Sequence, residues 1–453
     1  MLSSSLKVAL SVAGSDSGAG AGIQADLKTF SALGVYGCTA ITAITAQNTK
    51  RVTGILEIEP AMIEAQVASV VADSPPDAVK IGMVYSRQAI EAVEGSLRAS
   101  RASPIVLDPI LAAGTGARLL RADAVDHFVS KLVPLATLLT PNRMEAEELA
   151  GIKIRSEQAG IKAAEKLRSL GARNVIVKGG HFGRATVTDL LIDDRGELTR
   201  ISNPRIDVEE THGSGCNFSA AVTACLARGY PLQEACVAAN RYVHAAIKTA
   251  VRVGRGLPVT NPLSSIYRDA MKYSVTSELQ AAIDRLVALD GFYSLIPETQ
   301  TNFAYALPDA GSHDDVAAVK GRIARAGRGA VQVSRVEFGA SRHMASAILA
   351  FKDVRPAFRS VINIRYDPSI VKKCEKICPV SSYDRSREPR GVKEKEGSTI
   401  AWGTKEALRQ NPLAEAIYHT GDVGKEPMVT IFGRDPADVL AKVEKLLLLL
   451  QMS

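Results

Sequence analysis

Short apolar runs that close on a turn or a charged residue recur through the first half of the chain. They cover residues 7–12, 78–84, 104–110, 138–145 and 174–181. Each is too short for a helix and lacks the alternation of a strand with one wet face, so each reads as a buried strand. Longer stretches with apolar positions three or four apart lie between them, as at 157–170. Residues 26–33 form another such stretch, stopped by Gly34. Strands alternating with helices predict a mainly parallel sheet with crossover helices on both faces, an α/β fold. The pattern changes past Pro262. Residues 263–274 read as a mixed connector, 278–289 as a helix opening a new unit, and 435–450 as an amphipathic helix. Two domains are expected, 1–265 and 275–453.

Composition narrows the class. The chain has 453 residues, too many for one ordinary core. Hydrophobic residues make up 46% and charged residues 23%, values of a globular protein. The net charge of +7 suits anionic small molecules, and a single Trp with 5% aromatics offers few stacking platforms for nucleic acid. Nucleic acid and membrane are therefore not expected as partners. The six cysteines are thinly spread, as in a reduced cytoplasmic protein, and no partner pair completes a zinc site near Cys374 and Cys378. Residues 1–10 lack the apolar core of a signal peptide, and 446–450 is too short to span a bilayer.

The chemistry gathers where strands and glycines meet. Thr211-His212-Gly213-Ser214-Gly215-Cys216 precedes an apolar helical run beginning near Gly215. Such a helix start aims unpaired N–H groups at one point and favours an anion there. Thr211, Gly213 and Gly215 become phosphate-binding candidates, and Cys216 falls in the first turn, where a thiol loses its proton more easily. A second glycine loop, residues 14–22, does not match the dinucleotide fingerprint, because Ile23 stands where the third glycine belongs. Asp16 and Asp26 are its chemically useful residues. Asp108 closes one strand, and Asn142 with Glu145 follows another. Ligands of open α/β sheets collect at these carboxyl ends, so Asp108 and Glu145 are candidates for magnesium. Gly421-Asp422-Val423-Gly424-Lys425-Glu426 falls short of a complete phosphate loop.

Taken together, residues 14–29, 43–49 and 211–222 closely resemble the hydroxymethylpyrimidine/phosphomethylpyrimidine kinases, a ribokinase-like family, over roughly the first 260 residues. The resemblance implies a three-layer, ribokinase-like domain using ATP and Mg2+. It places Gly14, Asp26, Gln47, Met83 and Ile110 around the pyrimidine, where Gln47 has both donor and acceptor for an aminopyrimidine. It places Asn142 and Lys178 at the nucleotide phosphates, Asp108 and Glu145 at the metal, and Cys216 in the catalytic position. Cys216 then either activates the substrate hydroxyl or shapes the anion hole. His181 reads as structural.

From about residue 278 onward the chain resembles the archaeal thiamine-phosphate synthase domain, a smaller α/β unit. The stretches 302–306, 321–323, 336–343, 363–366, 396–399 and 421–427 carry the likeness. Arg322, Arg342, Arg365 and Lys425 sit beside Gly, Asn or His in non-periodic segments, a setting that suits phosphate, with solvated surface charge as the competing reading. The resemblance implies Arg322 and His343 as catalytic, and Arg342, Asn363, Arg365 and Lys425 as substrate-binding. Residues 383–396 read as an exposed charged loop. The whole is expected to be a cytoplasmic, homo-oligomeric, bifunctional thiamine-biosynthesis enzyme. A pyridoxal kinase-like first domain with a non-catalytic, thiamine-phosphate-sensing second domain is the competing reading.

Overall fold

The computed structural model describes residues 6–180, 185–208, 211–389, 398–422 and 425–452. His181, and parts of the stretches 383–396, 396–399 and 421–427, lie outside the described residues. The chain forms two compact units, Met1–Tyr267 and Arg268–Ser453.

The first unit is built on nine strands: β1 (Val8–Asp16), β2 (Tyr36–Gln47), β3 (Val52–Glu57), β4 (Ala78–Ile81), β5 (Ile105–Leu107), β6 (Leu138–Leu139), β7 (Asn174–Gly180), β8 (Thr186–Ile192) and β9 (Leu198–Pro204). Their order is β3-β2-β1-β4-β5-β6-β7-β8-β9. The six from β2 to β7 are parallel, and β3, β8 and β9 are antiparallel additions at the two edges. Alternate side chains of the parallel strands serve opposite faces. Leu10, Val12, Val79, Ile81, Leu107 and Leu139 pack beneath the helices Pro60–Asp73 and Arg87–Ser100. Val106, Leu138 and Ile176 pack on the other face against Phe218, Ala221 and Val222 of the helix Ser214–Ala227. Both faces are covered, which is why these strands carry continuous apolar runs. The result is the three-layer, mainly parallel architecture that the pattern predicts.

The second unit has a seven-stranded sheet and a two-stranded hairpin. Its strands are β10 (Phe303–Ala306), β11 (Val316–Val319), β12 (Ile323–Ala326), β13 (Gly329–Gln332), β14 (Val336–Phe338), β15 (Ser360–Arg365), β16 (Val380–Ser382), β17 (Ala416–His419) and β18 (Met428–Gly433). The large sheet runs β14-β11-β10-β15-β18-β17-β16, antiparallel except for β16 with β17. One face packs on the helices Ser264–Ala288 and Pro436–Gln451, the other on Arg342–Lys352. Residues 264–274, expected as a connector, are the first part of a 25-residue helix. Its later turns bury Val275, Leu279, Ile283 and Leu286, and that packing carries a start whose own sequence has no clear apolar stripe. Among the described residues no helix is long and apolar enough to cross a membrane.

His419 ends β17, 6% exposed, its Nδ1 accepting from the Gly421 N–H at 3.2 Å. Burial, helped by the nearby Arg385 charge, pushes its pKa down from 6.5 to about 4. Between those two values the unfolded chain binds a proton that the folded unit refuses, so stability falls as pH drops through this window. At pH 5 the loss is roughly 2 kcal/mol. Denaturant midpoints of the second unit at pH 7 and pH 5 should differ accordingly, and His419→Gln should narrow the gap. Equal gaps would remove His419 from the acid response.

Candidate functional site

A cavity in the first unit opens where β1, β2, β4, β5 and β6 end. Its lining includes Gly14, Asp16, Gln47, Met83, Asp108, Ile110, Asn142, Glu145, Lys178 and Thr211 through Cys216. The two glycine loops meet here. Gly213 caps the helix Ser214–Ala227 with φ of +91°, and a Cβ on it would stand 1.8 Å from the Gly20 carbonyl oxygen. Only glycine tolerates both the backbone conformation and that approach. No side chain caps this helix and its first turn holds no acid, so its leading N–H groups carry the partial positive charge of the helix end.

Asp16 ties the loops together. Its carboxylate accepts from the N–H groups of Gly18 (2.8 Å), Gly20 (3.1 Å) and Ala21 (2.9 Å), and His212 Nε2 lies 3.0 Å from the same group. Burial alone would raise the Asp16 pKa, but the His212 and backbone donors bring it below the usual value. Gln47 Nε2 lies 3.1 Å from His212 Nε2. The His212 backbone is fixed in turn by Pro258 and Thr260.

Charge is concentrated on the opposite wall. Asp108 Oδ1 receives Lys178 Nζ at 3.1 Å and Thr140 Oγ1 at 3.1 Å, and Oδ2 receives Ser219 Oγ at 3.0 Å. Burial would raise the Asp108 pKa, but Lys178 and Lys80 hold it below the ordinary carboxylate value. Glu145 closes a capping box with Asn142 at the start of the helix Arg143–Ala150. Burial, opposed by Lys178 and reinforced by Asp108, pushes the Glu145 carboxyl up to about 8. A divalent cation beside both carboxylates would relieve that frustration, and Mg2+ commonly takes one or two carboxylates and fills its shell with water and phosphate. The donor set fits such an ion.

The Cys216 thiol departs from expectation. Lys80 and the Gly22 N–H do favour its thiolate, but burial, with the charges of Asp108 and Asp26, outweighs them and pushes its pKa up to about 11. Cys216 is a protonated thiol at neutral pH.

The sequence pattern of the family described as phosphomethylpyrimidine kinase matches residues 16–261. The chain belongs to the phosphomethylpyrimidine kinase family. A second pattern, that of the thiamine-phosphate synthase ThiN, matches residues 278–445. The bifunctional thiamine biosynthesis protein ThiDN of Methanocaldococcus jannaschii is 32% identical over 96% of this chain and 97% of its own length. The hydroxymethylpyrimidine/phosphomethylpyrimidine kinase of Rhizobium meliloti is 48% identical over 55% of this chain and 94% of its own. The bifunctional ThiED protein of Geobacter sulfurreducens is 47% identical over 54% of this chain, which spans half of that relative. Among solved structures, a Bacillus subtilis pyridoxal kinase bound to ADP shares 35% identity at a TM-score of 0.54, covering 58% of this chain and 99% of that one.

Of the fourteen candidate site residues that the sequence named in this kinase domain, thirteen line the cavity. The exception is Asp26, expected at the pyrimidine. It is fully buried, with Oδ1 2.6 Å from Lys80 Nζ and Oδ2 accepting from Ser11 Oγ at 2.6 Å. Both oxygens are spent inside the protein. His212, Ser219 and Lys80 were missed. His212 stands within the quoted glycine stretch, and Lys80 is a charge inside an apolar strand, which by itself demands a buried partner.

In the thiamine-phosphate synthase domain the named residues divide. Arg322, Arg365 and Lys425 lie at one end of the large sheet, since β11 ends, β15 ends and β18 begins there. Arg322 has φ of +71° and donates to the Thr299 carbonyl. Arg342 and His343 begin the helix Arg342–Lys352, and the chain reaches it from Gly339, whose N–H bonds Val316 at the other end of the strands. Asn363, expected to bind substrate, is buried. Its Oδ1 accepts from the Asn302 N–H at 2.7 Å and its Nδ2 donates to Gln300 O at 3.1 Å, so it joins β15 to the segment before β10.

Gly213→Ala should force the two glycine loops apart. Displacement of about 1 Å at a reacting centre commonly costs ~10²-fold in rate. The pyrimidine kinase assay of the purified variant should show that loss with secondary structure unchanged in circular dichroism. A rate within threefold of wild type would mean that the contact is not needed.

Proposed function

We propose that the first domain transfers the γ-phosphoryl group of ATP to 4-amino-5-hydroxymethyl-2-methylpyrimidine and then to its monophosphate. The second domain joins the resulting diphosphate to 4-methyl-5-(2-phosphoethyl)thiazole, releasing pyrophosphate and thiamine phosphate. The observation that carries the first half is the meeting, in one cavity, of an uncapped helix start, Lys178 and the carboxylates of Asp108 and Glu145. Phosphoryl transfer asks for positioning and charge stabilisation of this kind. The likeness over residues 278–445 supports the second half.

In this reading the pyrimidine sits among Gly14, Gln47, Met83 and Ile110. The N–H groups following Gly213 receive the transferring phosphoryl group, with Thr211 and Gly215 shaping the loop around it. Lys178 and Asn142 face the nucleotide phosphates. Mg2+, held by Asp108 and Glu145, would neutralise phosphate charge. Cys216, protonated, lines the anion hole and leaves the hydroxyl proton to other acceptors. In the second domain Arg322, Arg342, Arg365 and Lys425 neutralise the diphosphate and the thiazole phosphate, and His343 orients or protonates the departing pyrophosphate. The same reading carries a cytoplasmic location and self-association, the latter read by light scattering after size exclusion.

The deciding experiment supplies the hydroxymethylpyrimidine, the thiazole phosphate, ATP and Mg2+, and looks for thiamine phosphate. Pyridoxal is offered in parallel, since solved pyridoxal kinases share the fold of the first unit. Turnover of pyridoxal with none of the hydroxymethylpyrimidine would favour the competing kinase. Wild type that accumulates pyrimidine diphosphate without thiamine phosphate would favour a sensing second domain.

Two predictions rest on this assignment. Asp108→Asn and Glu145→Gln should each raise the Mg2+ needed for half-maximal kinase rate by about tenfold, because each removes one of two carboxylates from the cation. Superimposable magnesium titrations would reject the metal role. Arg322→Ala should abolish thiamine phosphate formation while the kinase steps run normally and the pyrimidine diphosphate accumulates. The expected loss is ~10²–10³ in synthase rate, and an unchanged rate would take Arg322 out of the site.

A further inference from the structure

Among the described residues of the first unit, Lys80 is the most deeply buried cation, with no exposure at all. It stands opposite Ser11 in the β1–β4 register and opposite Val106 in the β4–β5 register. Its neighbours Val79 and Ile81 belong to the other face. Lys80 therefore lies on the face covered by the helices Gly22–Ala32 and Ser214–Ala227. Its Nζ meets Asp26 at 2.6 Å, and Ser11 satisfies the far oxygen of that carboxylate. A Cβ placed on Gly82 would stand 3.5 Å from Lys80 Nζ and 3.7 Å from Ile110 Cδ1. Gly82 adjoins Met83, and Met83 and Ile110 both line the cavity. The ammonium thus ends beside Gly82, next to two residues of the cavity wall.

A buried ion pair is weak evidence for stability, because desolvation offsets most of the attraction and an apolar pair of similar volume often does as well. Its orientation is the informative part. The negative member faces Ser11 and the helix Gly22–Ala32. The positive member shares its face of the sheet with the helix Ser214–Ala227, and its charge favours the ionised forms of Asp108 and Cys216. Burial would strip the proton from Lys80, but the carboxylates of Asp26 and Asp108 more than reverse this, so the ammonium stays charged.

We propose that Lys80 is a positioning residue for phosphoryl transfer: a permanent cation beside the cavity wall whose field favours the negative charge gathered at the Gly213–Cys216 helix start. This rests on the kinase reading above. Lys80 touches neither substrate nor nucleotide. It acts through a fixed, dry environment, where a charge is weakly screened and needs no reorganisation during the reaction.

The test separates field from fold. Lys80→Met alone strands the Asp26 charge and is expected to lower the melting temperature. Lys80→Met/Asp26→Leu and Lys80→Met/Asp26→Asn remove the cation with its counter-charge, and whichever melts as wild type is assayed. The expected result is a fall in kcat of about 10²-fold for both kinase steps, with KM for ATP and for the pyrimidine within threefold. Alkylation of Cys216 at pH 9, followed by mass spectrometry, supplies a second readout. Loss of the Lys80 field should slow it, whereas mere loosening of the structure should speed it. Wild-type kcat in a folded double variant overturns the proposal, as does faster alkylation. Failure of both double variants to fold assigns the pair to the fold and also overturns it. Absence of any pyrimidine phosphorylation by wild type would instead sink the kinase reading, so the two failures are distinguishable.

Discussion

The first unit depends on the contact between two glycine loops that come from opposite ends of its sequence. The Gly20 carbonyl occupies the space where any side chain at 213 would begin. That approach brings the loop after β1 against the start of the helix Ser214–Ala227. Asp16 then holds both partners by accepting from three backbone amides and from His212. The uncapped helix start and the cavity beside it take their places from this junction. The long separation in sequence makes it a product of the whole parallel sheet, which delivers both loops to the same edge.

Around the junction the protein keeps an unusual quantity of charge out of water. Asp108 is satisfied by Lys178, Thr140 and Ser219, and Asp26 by Lys80 and Ser11. Burial still pushes the Asp26 carboxyl up, and it pushes Glu145 up to about 8 against the opposing charge of Lys178. Cys216 sits in the same dry region and stays protonated for the same reason. Carboxyls pushed in opposite directions within one cavity, Asp108 down and Glu145 up, are an arrangement that functional sites commonly show. The synthase domain follows a different plan. Its sheet is mostly antiparallel, its candidate cations are largely exposed, and they fall at two ends of the strands.

Much of this was legible before any coordinates. The buried runs around β1, β4, β5 and β7 announced a parallel sheet because strands covered on both faces are apolar throughout. Asp108 and Asn142, which follow such runs, both line the cavity because it opens at the ends of those strands. Gly213, Gly215 and Cys216 were readable because glycines before an apolar helix make an anion-facing start. Asp26 was misread because a carboxylate near a glycine loop looks the same in sequence whether it faces a ligand or a buried lysine. The connector at 263–274 was misread because its helicity comes from packing of later turns and not from its own periodicity.

The sequence by itself determined the class of fold, the order of elements and the stretches that line the cavity, because these follow from local periodicity, glycine placement and strand ends. Tertiary structure alone decided how charges pair. Lys80 and Asp26 are 54 positions apart, Lys178 and Asp108 are 70 apart, and His212 and Asp16 are 196 apart. Nothing in local pattern encodes those partners. The state of each group follows from its burial and from the charge beside it, and both exist only once the sheet has closed its two faces. For the same reason a thiol at a helix start, acidic by its local position, is held protonated in the folded protein.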